Sequence, residues 1–121
     1  MNPDIAKEWA AELRSGKYKQ VRGKLSADDG YCCLGVLCEM AVEAGIISKP
    51  ISVDFLNREV MEYDYCTNYL PKSVQDWAGM ASNHGEIKVN PTQIISLANM
   101  NDQSEPFEAI AKTIEEHMEK L

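Results

Sequence analysis

The chain has 121 residues, 45% of them hydrophobic and 26% charged, with 19 acidic against 12 basic side chains for a formal charge of −7. That length fits a single globular domain over 1–121 with a buried core, and the hydrophobic fraction excludes a disordered chain. The acidic balance excludes a protein that wraps duplex nucleic acid, whose phosphates call for cations, but admits an acidic face docking on a basic partner.

Asn2 and Pro3 open the first predicted helix, an N-cap residue followed by a proline at the first helical position. Ile5, Trp9 and Leu13 recur every fourth residue beside Ala6 and Ala10, and Gly16 supplies the stop. Lys17 to Leu25 partly alternates, which predicts a strand or extended loop ending in the turn Asp28-Asp29-Gly30. Between Arg14 and Lys24 stand five basic residues and no acid, a local reversal of sign in an acidic chain.

Tyr31 to Ala44 carries only two charges, Glu39 and Glu43, four residues apart. On a helix they share one stripe and leave the rest apolar, which predicts a central helix surrounded by its own protein. At about fourteen residues it is too short for a bilayer, which needs ~20. Mid-helix glycine costs ~1 kcal/mol relative to alanine, so Gly35 marks the close approach of another backbone or of a ligand. The basic run leads into this helix start, where unpaired N–H groups and a partial positive charge suit a phosphate or carboxylate.

Beyond Gly45, Ser48-Lys49-Pro50 reads as a loop and Ile51-Ser52-Val53 as the start of a short strand. Asp54 is expected to cap a helical turn through Phe55, Leu56 and Arg58. Met61 to Tyr65 alternates, placing Met61, Tyr63 and Tyr65 on one strand face. Ile46 to Tyr69 is the least regular part and reads as a peripheral insertion. Leu70 to Gly79 predicts a short helix with Val74, Trp77 and Ala78 inward, and Glu86 to Val89 a brief alternating segment. Asn90-Pro91 repeats the opening of Asn2-Pro3 and predicts a helix through Ile94, Ile95, Leu97 and Ala98. Ser104 is expected to cap the last helix, where Phe107, Ile110, Ala111, Ile114, Met118 and Leu121 keep a 3.6-residue period. The expected fold is α+β: a mainly helical single domain, with a central buried helix and a small antiparallel sheet.

Cys32, Cys33, Cys38 and Cys66 lack the paired spacing of a zinc site, and cysteines on a buried helix act as small hydrophobes. A reduced, cytoplasmic protein without metal is therefore expected. Met1 to Asp4 begins no basic segment followed by an apolar run, so neither a secretory signal nor a membrane partner is expected. No nucleophile–base pair, phosphate-binding loop or cofactor motif stands out, which points to a non-enzymatic protein without cofactor. A binding role has more support. Tyr18, Lys19, Gln20, Arg22 and Lys24 are candidate ligand contacts, Tyr31 and Trp77 candidate stacking surfaces, and Asn99, Asn101 and Asp102 candidate partners of a sugar or base.

The runs Leu13-Arg14-Ser15-Gly16-Lys17-Tyr18-Lys19-Gln20, Tyr31-Cys32-Cys33-Leu34-Gly35-Val36-Leu37-Cys38 and Leu97-Ala98-Asn99-Met100-Asn101-Asp102 together resemble a family of small uncharacterised bacteriophage and prophage proteins. Where the family pattern often has glycine after Tyr-x-Gln, this chain has Val21. The resemblance implies a setting in the host bacterial cytoplasm, where small phage proteins often antagonise defence. The function expected there is sequestration of an anionic nucleotide-derived immune signal, a cyclic ADP-ribose isomer or a cyclic oligonucleotide. The alternative is an acidic, anti-CRISPR-like inhibitor of a host defence protein or nucleic-acid enzyme, presenting Glu105, Glu108, Glu115, Glu116 and Glu119. Sequestering proteins often build pockets between subunits, which admits a homo-oligomer.

Overall fold

The computed structural model describes residues 1–121, and helix α1 spans Pro3–Arg14. Asn2 caps it as the sequence predicts: its side-chain oxygen accepts from the N–H groups of Asp4 and Ile5, which a helix start otherwise leaves unpaired. Ala6, Trp9, Ala10 and Leu13 form the buried stripe of α1. It packs on α5 (Phe107–His117), whose own stripe is Ile110, Ala111 and Ile114. Arg14 clasps the pair from outside, with its guanidinium donating to Glu108 and Glu115.

Helix α2 (Cys33–Glu43) is the centre of the core, with every residue from Cys33 to Cys38 buried. It touches α1, α3 (Lys72–Ala78) and α4 (Leu97–Asp102). It starts two residues later than its apolar run because Tyr31 is claimed by a strand and Cys32 becomes the N-cap.

The sheet has the order β2-β1-β4-β3, from β1 (Ser26–Ala27), β2 (Gly30–Tyr31), β3 (Ile51–Phe55) and β4 (Arg58–Glu62), all antiparallel. Asp28 and Asp29 join β1 to β2 with φ of 51° and 61°, the left-handed pair that lets a two-residue turn follow the strand twist. Leu56 and Asn57 do the same between β3 and β4, at 52° and 63°. Asp54 therefore caps no helical turn; it pairs with Glu59 inside this hairpin. The strand expected to run to Tyr65 stops at Glu62. Tyr63 and Cys66 then exchange both backbone hydrogen bonds across a third two-residue turn. Tyr65 sits in that turn, 91% exposed, while Tyr63 is buried. Lys17 to Leu25 is a loop with a single parallel bridge, Gln20 to Tyr31.

A separate hairpin joins β5 (Glu86–Asn90) to β6 (Gln93–Ser96). Asn90-Pro91 lies in its turn, where the Asn90 side chain accepts from the Thr92 N–H, a side-chain mimic of a turn bond. The helix expected from Asn90 thus begins only at Leu97, capped by the Ser96 hydroxyl. Ser104 does not cap α5 either: its φ is 66°, and Pro106 takes the cap position. The fold is α+β with a small antiparallel sheet. No helix is long and apolar enough to cross a membrane.

Candidate functional site

The basic loop is set on the core by one glycine. A Cβ on Gly35 would lie 1.8 Å from the Leu25 carbonyl oxygen, so the chain entering β1 rests directly on α2. Of the two causes the sequence allows for that glycine, close backbone packing is the one present. The same Leu25 carbonyl accepts the Cys32 N–H at 3.1 Å, and the Leu25 N–H donates to the Thr67 carbonyl at 2.7 Å. Val21 packs its side chain over Gly30, where an added Cβ would come within 2.3 Å of it.

The other anchor is Asn101, fully buried on α4. Its Oδ1 accepts the Cys33 N–H at 3.1 Å and Gln20 Nε2 at 2.9 Å, and its Nδ2 donates to the Val21 carbonyl at 2.7 Å. Gln20 Nε2 also donates to the Glu105 carbonyl. Three side-chain bonds from one amide thus join the loop, the start of α2 and α4. Asn101 and the Cys32 thiol sulfur, which accepts the Gly35 N–H at 3.4 Å, occupy two of the N–H groups that begin α2. The helix start expected to receive an anion is largely capped by the chain itself.

What remains open is the rim. Arg22 Nη1 donates to the Ser104 hydroxyl at 3.2 Å and Lys24 Nζ to Asn68 Oδ1 at 2.9 Å, while the Gly23 N–H between them donates to Asp102 Oδ1 at 3.0 Å. Two concavities flank this ledge. A cleft of about 60 Å³ is lined by Gly23, Lys24, Asn68, Tyr69 and Asp102, over an apolar floor that includes Cys32 and Leu34. A shallower one of about 290 Å³ is lined by Gln20, Val21, Arg22, Asn101 and Ser104. Burial pushes the Cys32 thiol up from 9.0 to about 11, so the floor of the cleft is uncharged at neutral pH.

Of the residues singled out in the sequence, Gln20, Arg22, Lys24, Asn101 and Asp102 meet at this ledge, with Gln20 and Asn101 as internal struts. Lys19 is exposed beside it, and its backbone carbonyl accepts the Tyr31 N–H. Tyr18 and Tyr31 pack edge to ring at 5.1 Å on a side of the loop influenced by Glu12, Glu39 and Glu43, and burial raises both phenols. Trp77 is half-buried against the core from α3, and Asn99 is exposed on α4; neither lines the concavities. Trp9 is a core residue, its indole N–H donating to the Cys33 carbonyl. Ser104 and Asn68 were missed. Neither has a local pattern to mark it, since each acts through a partner 82 and 44 residues away. Tyr69 likewise carries no sequence pattern that ties it to the cleft.

Loop, ledge and core define a small α+β domain that offers cations on a rim and keeps its helix start for itself. The chain belongs to the family described as Domain of unknown function (DUF8296), which it matches over residues 1–118. No significant match to a curated protein or to a solved structure was found.

Proposed function

We propose that the protein is a non-enzymatic binder that sequesters a small anionic nucleotide on the ledge between the basic loop and α4. One observation carries this reading: neither Arg22 nor Lys24 on the ledge forms an ion pair. Arg14, Lys17 and Arg58 each have a carboxylate within 4 Å. Arg22 is instead held by a hydroxyl, and Lys24 by an amide oxygen and the face of the Phe55 ring, contacts that fix both cations without a counter-ion. A phosphate between them would receive charge-assisted hydrogen bonds from both. Tyr69 lines the cleft beside Lys24. Asp102 uses one oxygen on Gly23, so the other can accept from a sugar hydroxyl or a base amine.

In the phage setting that the sequence resemblance implies, the ligand is a cyclic ADP-ribose isomer or a cyclic oligonucleotide, and its capture blunts a host defence signal in the bacterial cytoplasm. The acidic-inhibitor reading has a narrower basis, because Arg14 already engages Glu108 and Glu115 on α5.

Isothermal titration against cyclic ADP-ribose isomers, cyclic di- and trinucleotides and uncharged adenosine tests the proposal. The nucleotides bind and adenosine does not. Arg22→Glu with Lys24→Glu weakens binding at least ~10-fold, a change of about 1.4 kcal/mol, whereas Lys72→Glu on α3 leaves it unchanged. If no nucleotide binds tighter than ~100 μM, about −5.5 kcal/mol, the reading is wrong.

A further inference from the structure

We infer that strand β3 is a dimerisation edge, pairing antiparallel with β3 of a second copy about a two-fold axis at Val53. β3 is the terminal strand of the sheet. Isolated chains normally protect such an edge with lysine, proline, a bulge or a covering loop. β3 has no lysine and no proline within it, and its pairing with β4 runs from Ile51 to Phe55 without a register shift. Its apolar residues remain largely in water: Ile51 is 65% exposed and Leu56 at the turn 85%, while Phe55 is 50% exposed with Lys24 over its ring.

The backbone pattern says which groups are open. Phe55 and Arg58 flank a two-residue turn, so they form a hydrogen-bonded pair, and Val53 and Ile51 follow at alternate positions. The Glu59 carbonyl accepts the Asp28 N–H from the turn after β1, on the far side of β4, which fits this alternation. The N–H and C=O groups of Ser52 and Asp54 therefore point outward. Three symmetric antiparallel registers can use them, and only one uses both residues well. Centring on Ser52 sets Asp54 against Pro50, which has no N–H to give. Centring on Asp54 sets two carboxylates directly opposite, which is unfavourable. Centring on Val53 sets Ser52 against Asp54 of the second copy, twice, for four backbone hydrogen bonds. The same register puts Ile51 opposite Phe55, apolar against apolar, and keeps the single charge of the strand away from its own copy. Two four-stranded sheets become one of eight strands. Pairs of this kind are isologous and close on themselves, so the assembly stops at two.

The experiment uses the full chain. Sedimentation velocity from ~1 to ~500 μM shows a monomer–dimer equilibrium governed by mass action. Ser52→Pro removes one outward N–H without touching the β4 side; it sediments as a monomer with an unchanged circular dichroism spectrum. Register is read by oxidative cross-linking in a Cys66→Ser background. Val53 lies in the non-hydrogen-bonded pair on the axis, where Cα atoms come within ~4.5 Å, inside disulfide range. Val53→Cys therefore cross-links, whereas Ile51→Cys, four residues or ~13 Å out of register with its own copy, does not. A wild type that stays monomeric at ~500 μM overturns the inference. So does a dimer that survives Ser52→Pro, or one in which Ile51→Cys cross-links as readily as Val53→Cys.

Discussion

The sheet has two edges, and the chain treats them in opposite ways. At the β2 edge, Tyr31 is paired from outside: its N–H donates to the Lys19 carbonyl and its carbonyl accepts the Val21 N–H. The covering loop is locked by Asn101 from α4 and seated on α2 at Gly35. At the β3 edge no strand or loop pairs with the backbone; Ile51 stands mostly in solvent, and Phe55 is half exposed with the Lys24 ammonium 4.6 Å from its ring centre. A loop that guards a strand edge needs anchors in the core, and those anchors also fix what the loop carries. The cations of the ledge are well placed because the edge beneath them is closed. The open edge, having no such anchors, is where another chain can add.

The contrast breaks hardest at Gly35. Gly35→Ala gains ~1 kcal/mol of helix propensity. It also drives a Cβ into the Leu25 carbonyl, a backbone atom that cannot rotate away. Leu25 can retreat only by giving up its bonds to Cys32 and Thr67. The net loss of unfolding free energy is about 3 kcal/mol, at the upper end for overpacking, measured by urea denaturation. A loss below ~1 kcal/mol means that the loop does not rest on the helix.

Asn101→Leu is the next test of the closed edge. It keeps the volume and removes the amide, leaving the Cys33 N–H, the Val21 carbonyl and one Gln20 donor short of a partner. A buried group left without a partner costs roughly 1–3 kcal/mol, and the half-exposed loop recovers some of this through water. The expected loss is about 2–3 kcal/mol, with faster amide exchange at Val21 and Tyr31 than in the wild type. If stability falls but exchange at those amides does not change, Asn101 holds the core and not the edge.

These two residues also show what could be read from the sequence. The helices α1, α2 and α5 were legible from local patterns, a cap and an apolar period for α1, an apolar run with its two charges four apart for α2, and the period alone for α5. Gly35 could be flagged as a close approach, since glycine inside a helix needs a reason, but its partner, Leu25, lies ten residues back across the β1–β2 hairpin, and no local pattern names it. Asn101 was picked out as a ligand partner on the strength of its amide. In the fold that amide is consumed three times over by the chain. The hairpins were hardest. The turn at Asp28-Asp29 was legible from its run of aspartates before Gly30, but Leu56-Asn57 and Asp64-Tyr65 form two-residue turns without the usual glycine, so there the expected signal is absent. Asn90-Pro91 failed for the opposite reason: a real signal, a cap before proline, served a turn.

The smallest effect belongs to Leu56, and it separates the two edges most sharply. A non-glycine residue held at positive φ costs about 1–2 kcal/mol in backbone strain. Replacing it with glycine adds back about 0.5–1 kcal/mol of unfolded-chain entropy. The Leu56 side chain is 85% exposed and buries almost nothing to offset this. Leu56→Gly should therefore stabilise the monomer by about 0.5 kcal/mol, a rise in Tm of about 2 °C. The strain persists in the native chain beside an open apolar strand, where the paired register sets Leu56 against Pro50 of the second copy. The same substitution should thus weaken dimerisation in sedimentation at high concentration. A variant that raises Tm at low concentration while raising the dimer Kd ties the strained leucine to the open edge. One that changes stability alone leaves Leu56 as an unfavourable turn residue and places the weight of association on Ile51, Val53 and Phe55.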